Sequence, residues 1–76
     1  MENFSDEKII HFLGGSSKVG RMLGLTASAV NQWKTRGIPA GYLAILGARL
    51  EKESFGLIKR QDLFPTSYKL IWPELD

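Results

Sequence analysis

Glycines cut the first half of the chain into short lengths, and each length carries apolar residues at helical spacing. Gly14-Gly15, Gly24 and Gly37 fall where a helix must end, because glycine tolerates the left-handed backbone that closes helices. Ser5 caps a first helix, with Asp6 and Glu7 facing the positive end of its dipole, and Ile9, Ile10, Phe12 and Leu13 form its apolar side. Ser16-Ser17 supplies the cap of a second, with Val19, Met22 and Leu23 as a buried stripe. Thr26 caps a third, running from about Ala27 to Thr35. Pro39 then stands at the first position of a fourth, where its missing N–H does no harm. Tyr42, Leu43, Leu46 and Leu50 make the apolar face of that helix, and one of its two glycines, Gly41 or Gly47, admits a close neighbour.

Beyond Ser54 the pattern weakens. Residues 55–58 fit a loop or a short strand, Arg60 to Leu63 one helical turn, and Thr66 to Trp72 a last short helix between Pro65 and Pro73. Nothing alternates with period two for long, so the expected fold is all-α: one compact domain over residues 1–76, of about four to five short helices. A chain of 76 residues buries only about 60% of its unfolded surface, so it needs either an efficient core or a partner subunit.

Composition narrows the function. With no cysteine, disulfides and thiolate metal sites are excluded, and a zinc site would rest on His11 and carboxylates alone, so neither metal nor cofactor is expected. The acidic opening Met1 to Glu7 lacks the pattern of a signal peptide, and the longest apolar run, around Tyr42 to Ala48, is too short to span a bilayer. A cytoplasmic protein without a membrane role is expected. The net charge of +2 matters less than its distribution: between Glu7 and Glu51 lie Lys8, Lys18, Arg21, Lys34, Arg36 and Arg49 and no acid. A middle segment of one sign suits a polyanion, or is a solvated face charged by chance.

Residues 16–37 decide between these. Two short helices meet here across a tight turn, the arrangement of a helix-turn-helix at about residues 16–36. Gly20 sits where the helices cross, and Gly24 opens the turn with a positive φ. Val19, Leu23, Leu25, Val30 and Trp33 point inward together; Trp33, three residues from Val30, belongs to the core rather than to a base stack. The other face of the second of these helices presents Ala27, Ser28, Asn31, Gln32 and Thr35, spaced by three and four. Asn and Gln amides pair with the N6 and N7 edge of adenine, Ser28 bonds several bases, and Ala27 or the Thr26 methyl meets a thymine methyl. Thr26, Ala27, Ser28, Asn31 and Gln32 are therefore the candidate base contacts. Lys34, Thr35 and Arg36 at one end, with Ser16, Ser17 and Lys18 at the start of the preceding helix, are the candidate phosphate contacts.

This stretch resembles the helix-turn-helix of phage Cro-type repressors, through Leu23-Gly24-Leu25-Thr26 and the run from Ser28 to Lys34. Gly37-Ile38-Pro39 and Tyr42-Leu43 fit the small all-helical Cro-like group, which is similar to YdaS-type antitoxin-like regulators. The tail, Asp62 to Pro65 and Ile71 to Leu75, resembles C-terminal segments of that group. The resemblance implies a lambda-repressor-like architecture and a dimeric, cytoplasmic repressor of phage or prophage type, reading a near-palindromic operator in double-stranded DNA. Two departures stand out. Ser16 replaces a common Gln, which removes a phosphate-orienting or base-bridging contact, and Gly20 replaces the commoner alanine, a change expected to alter packing little.

Two other classes compete. An antitoxin-like or anti-regulator module would act through the apolar tail, about residues 63–76, where Phe64, Tyr68, Ile71, Trp72 and Leu75 exceed what a loop requires. These side chains dock on the chain's own fourth helix, form a dimer interface, or hold a separate partner. An enzyme is not expected: there is no suitably spaced carboxylate pair, no nucleophile beside His11, and Gly14-Gly15-Ser16-Ser17 lacks the rest of a phosphate loop. No small-molecule substrate follows from the sequence.

Overall fold

The computed structural model describes residues 5–75. Met1–Phe4, part of the acidic opening read as no signal peptide, and Asp76 at the end of the tail lie outside the described residues. The described residues form α-helices and no strand: α1 (Asp6–Phe12), α2 (Ser16–Leu23), α3 (Ala27–Arg36), α4 (Ala40–Glu53), α5 (Arg60–Leu63) and α6 (Tyr68–Ile71). The all-α expectation holds, with α5 and α6 as the two short helical segments anticipated after Ser54. The chain divides into two compact units, Met1–Pro39 and Ala40–Asp76.

In the first unit, Ser5 Oγ accepts the Lys8 N–H at 3.1 Å and so caps α1. Gly14 and Gly15, at φ 103° and 99°, close that helix, and the Gly15 N–H returns to the Ile10 carbonyl at 3.0 Å. The second cap differs from expectation. Gly15 itself occupies the N-cap of α2, without a side-chain bond, and Ser16 is already the first helical residue. The positive φ at Gly15 ends one helix and opens the next, leaving no residue between them for a serine cap. Ile9, Ile10, Leu13, Val19, Val30 and Trp33 are buried and form the core of this unit, with Gly20 buried beside Val19. Phe12, Met22, Leu23 and Leu25 are half-buried, so the stripe on α2 narrows to Val19 and Gly20. Eight residues give α2 little more than two turns, too short for the whole stripe to reach the core.

In the second unit, α4 begins at Ala40, one residue after Pro39. Pro39 therefore precedes the helix instead of forming its first turn, a shift of one position that leaves its lack of an N–H equally harmless. Leu46, Gly47 and Leu50 are buried on α4, and the segment after Ser54 adds a core residue, Ile58, that its ambiguous pattern did not announce. Residues 55–57 are turns and bends. The buried Ser54 Oγ accepts the Ile58 N–H at 3.0 Å and holds that residue inward. Phe55, at φ 55°, adopts a left-handed backbone that costs a non-glycine residue free energy, yet its side chain is 97% exposed.

The tail docks within this unit. A methyl group placed on Gly47 would stand 2.5 Å from Trp72 Cζ2 and 2.7 Å from Cη2, so the indole lies directly on the glycine face of α4. Gly47 is thus the glycine that admits a close neighbour; nothing lies within 4 Å of the same position at Gly41. Phe64 meets Trp72 edge to face at 5.8 Å, and the Arg60 guanidinium sits 5.6 Å from the Trp72 ring centroid. Arg60 also ties the unit by charge. Its backbone N–H and Nε donate to Glu51 Oε1 at 3.0 and 3.2 Å, and Nη1 donates to Glu74 Oε2 at 3.1 Å. The backbone N–H of Arg60 does most to favour the charged carboxylate of Glu51; desolvation opposes it, and the Arg60 guanidinium adds to it, so the pKa lies below the ordinary value.

Candidate nucleic-acid interface

The angle between α2 and α3 is set by three local devices. Gly24 closes α2 in the left-handed region, at φ 72° and ψ 29°. The Leu25 N–H donates back to the Gly20 carbonyl at 2.8 Å, which turns the chain sharply. Thr26 Oγ1 then accepts the Ala29 N–H at 3.1 Å and starts α3. The role of Gly20 is more specific than a helix crossing. A methyl group there would stand 2.6 Å from the Leu25 carbonyl oxygen and 3.3 Å from the Thr26 carbonyl atoms, so the turn itself packs on the glycine. The expectation that alanine at this position would alter packing little is therefore corrected: the space is filled by backbone, which cannot rotate away.

With Val30 and Trp33 buried, the opposite side of α3 is fixed outward. At about 100° per residue, Ala27, Asn31, Thr35, Ser28 and Gln32 follow one another across that side. Ser28, Asn31, Gln32 and Thr35 are exposed, as sequence spacing predicts, while Ala27 is half-buried at one edge. Thr26 is exposed too, and its hydroxyl oxygen accepts the cap bond from the Ala29 N–H. Lys34 flanks the face beside Ala27, and Arg36 flanks it beyond Gln32; both are exposed. Cations thus stand on either side of a neutral polar strip. Lys34 also lines an open groove of about 440 Å³ with Ser5, Glu7, Lys8 and His11, where the acid and the two lysines mix their charges.

Hydrogen bonds tie the side chains of the strip to one another and to α2. Ser16 Oγ donates to Asn31 Oδ1 at 2.7 Å, a link from the first turn of α2 to the middle of α3. Arg36 Nη1 donates to Gln32 Oε1 at 3.2 Å, and Thr35 Oγ1 donates to the Gln32 carbonyl at 3.3 Å. Ser16 is half-buried and its hydroxyl faces Asn31, while Ser17 is exposed and Lys18 is half-buried. Lys18 carries its stem against Gly14, where an added methyl would stand 2.5 Å from Lys18 Cδ. Among the described residues no group of three or more His, Asp or Glu side chains is arranged to hold a metal ion, and no helix is long and apolar enough to cross a membrane.

Residues 7–69 match the family model described as bacterial toxin YdaS. The chain belongs to the YdaS family. The match spans α2 and α3 with the turn between them, the cations flanking α3, α4 and the start of α6, so the candidate face described above lies wholly within the matched residues. It ends before Trp72 and Glu74, which leaves the last contacts of the tail outside the matched residues. No curated protein and no solved structure matches the chain.

Proposed function

We propose that this YdaS-family chain is a sequence-specific repressor of the Cro type that binds double-stranded DNA with α3 in the major groove. The observation that carries the reading is the polar, uncharged face of α3, exposed between two cations and held at a fixed angle by the α2–α3 turn. A major groove about 12 Å wide admits such a helix, and short polar side chains reach base edges from it. Ser28, Asn31 and Gln32 read bases, with Ala27 and the Thr26 methyl at the edge of the contact. Lys34 and Arg36 pair with phosphates on either side, Thr35 lies between them, and Ser17 and Lys18 at the side-chain-free cap of α2 present backbone N–H groups to another. A homodimer on a near-palindromic operator in a bacterial cytoplasm completes the proposal; it assigns no catalysis and no cofactor. The test is selection of bound duplexes from a random pool, followed by salt titration of the selected site. Binding that falls steeply with salt and a palindromic product are expected. Absence of duplex binding at low salt refutes the reading.

A second reading, a toxin, antitoxin or anti-regulator module that binds another protein, is favoured by one observation. Ile45, Phe55, Leu57 and Leu70 of the second unit are exposed at 68%, 97%, 58% and 86%. In that case Phe55→Ser abolishes the biological effect and leaves duplex binding unchanged.

A further inference from the structure

Three helices of the first unit converge on one open groove of about 440 Å³. Glu7, Lys8 and His11 come from α1, Gly15 from the cap of α2, and Lys34 from α3. Ile9 and Ile10 are buried, so at about 100° per residue Glu7, Lys8 and His11 take the outward face of α1. All three are exposed, as is Lys34. Among the described residues no acid, Glu7 included, lies within ion-pair distance of Lys8 or Lys34. Arg60 is engaged by Glu51 and Glu74, and Arg36 bonds Gln32, whereas these two ammonium groups keep their donors. One acid against two lysines leaves the groove net positive, and its concave wall concentrates that charge.

The groove adjoins the polar face of α3. Lys34 follows Ala27 by seven residues and Asn31 by three, along one edge of that face. Gly15 precedes Ser16, whose hydroxyl donates to Asn31 Oδ1 at 2.7 Å. From the Asn31–Lys34 edge the groove continues onto α1. We propose that it is a binding site for a backbone phosphate of the duplex, in which Lys8 of α1 acts together with Lys34 of α3. The ligand is a phosphodiester of the strand that borders the Asn31 edge, taken by the lysines as point charges, with a ring N–H of His11 as a further donor. The inference rests on the reading of the chain as a duplex-binding protein and extends its interface to α1. Glu7 opposes the same phosphate and lowers affinity for every duplex alike, because a phosphate contact carries no sequence information.

The test uses the full chain and the duplex selected from a random pool. Lys8→Gln keeps the backbone N–H that caps α1 and exchanges one good helix former for another. It should flatten the slope of log affinity against log salt by about 0.9, so that its deficit against the parent shrinks three- to fourfold between about 50 and 200 mM salt. Lys69→Gln removes the same charge from an exposed position on α6 outside the groove and should leave the slope as in the parent. Glu7→Gln should strengthen all duplexes alike. Neutral methylphosphonates, placed one at a time along the duplex, locate the contact: one position should weaken the parent and leave Lys8→Gln nearly indifferent. A parental slope in Lys8→Gln, an equal flattening by Lys69→Gln, or a methylphosphonate profile that Lys8→Gln does not change overturns the inference and leaves duplex binding standing. A pool from which no duplex is retained at low salt overturns both.

Discussion

Replacing Gly20 by alanine sets two effects of known sign against each other. In the interior of a helix, alanine is better than glycine by about 1 kcal/mol, because it loses less backbone entropy. At Gly20 the added methyl meets the Leu25 carbonyl oxygen at 2.6 Å and the Thr26 carbonyl carbon and oxygen at 3.3 Å. Ordinary contact begins near 3.4 Å, so Leu25 must retreat by several tenths of an ångström. That oxygen is backbone in a turn pinned at both ends, by the Leu25 N–H on the Gly20 carbonyl and by the Thr26 cap. Overpacking of this kind costs about 1–3 kcal/mol. The upper part of that range applies where no side chain can swing aside, so the net expectation is a loss of about 1–2 kcal/mol.

Gly41 supplies the control within the same molecule. It too is helical, on α4, but nothing lies within 4 Å of an added methyl, so Gly41→Ala should gain up to about 1 kcal/mol. Urea unfolding followed by circular dichroism measures both, as opposite shifts of midpoint at constant slope. Because the turn sets the angle of α3, Gly20→Ala should lower duplex affinity by more than its stability loss accounts for, when binding is measured on the fully folded fraction. If Gly20→Ala proves as stable as Gly41→Ala, or binds its selected duplex as the parent does, the packing argument for the turn is wrong.

The remaining expectations are shorter. Asn31→Ala should cost about 1–3 kcal/mol of binding and relax preference at one base pair, read by competition between selected and point-changed duplexes. Lys34→Gln should weaken all duplexes alike and reduce the slope of log affinity against log salt by about one. Since Glu51 has a lowered pKa in the fold, its contribution to stability is complete above the ordinary carboxylate value and is lost as pH falls through the lower folded one. Thermal midpoints should therefore drop from about pH 5 downward, and drop less in Glu51→Gln, which starts about 1 kcal/mol less stable at neutral pH. Deleting residues 66–76 removes the indole that covers Gly47 and the Glu74 partner of Arg60, and should cost several kcal/mol in urea unfolding; a deletion as stable as the parent would show the tail contributes nothing to the unit.

The glycines made most of the fold legible. Gly14-Gly15, Gly24 and Gly37 all have positive φ and end helices where the sequence places those ends, because no other residue adopts that backbone as cheaply. Positions at the second-unit junctions were harder. Ile58 is fully buried although its neighbours Leu57 and Phe55 are exposed, since its placement depends on a bond from its N–H to Ser54 rather than on periodicity. Phe55 shows the same limit from the other side: an aromatic residue in a left-handed conformation, with its ring in solvent, has no signature in composition.

The site divides along a similar line. Which residues of α3 face outward follows from Val30 and Trp33 facing inward, and spacing alone delivers Ser28, Asn31, Gln32 and Thr35. How those side chains are held does not follow from spacing, because the amides are tied by bonds to residues on other turns. Ser16 lies fifteen residues from Asn31, and only the turn at Gly24 brings its hydroxyl to that oxygen. The departure from a common Gln at this position first reads as a lost contact, yet the short side chain reaches the amide and fixes it. Arg36 stands one helical turn from Gln32, close enough for the pair to be read from sequence, but as a candidate phosphate contact its tie to the amide goes unnoticed. On the duplex-binding reading proposed above, the exposed face is shaped by the residues that bond its amides as well as by the amides themselves. Those residues sit at the first turn of α2 and the last turn of α3.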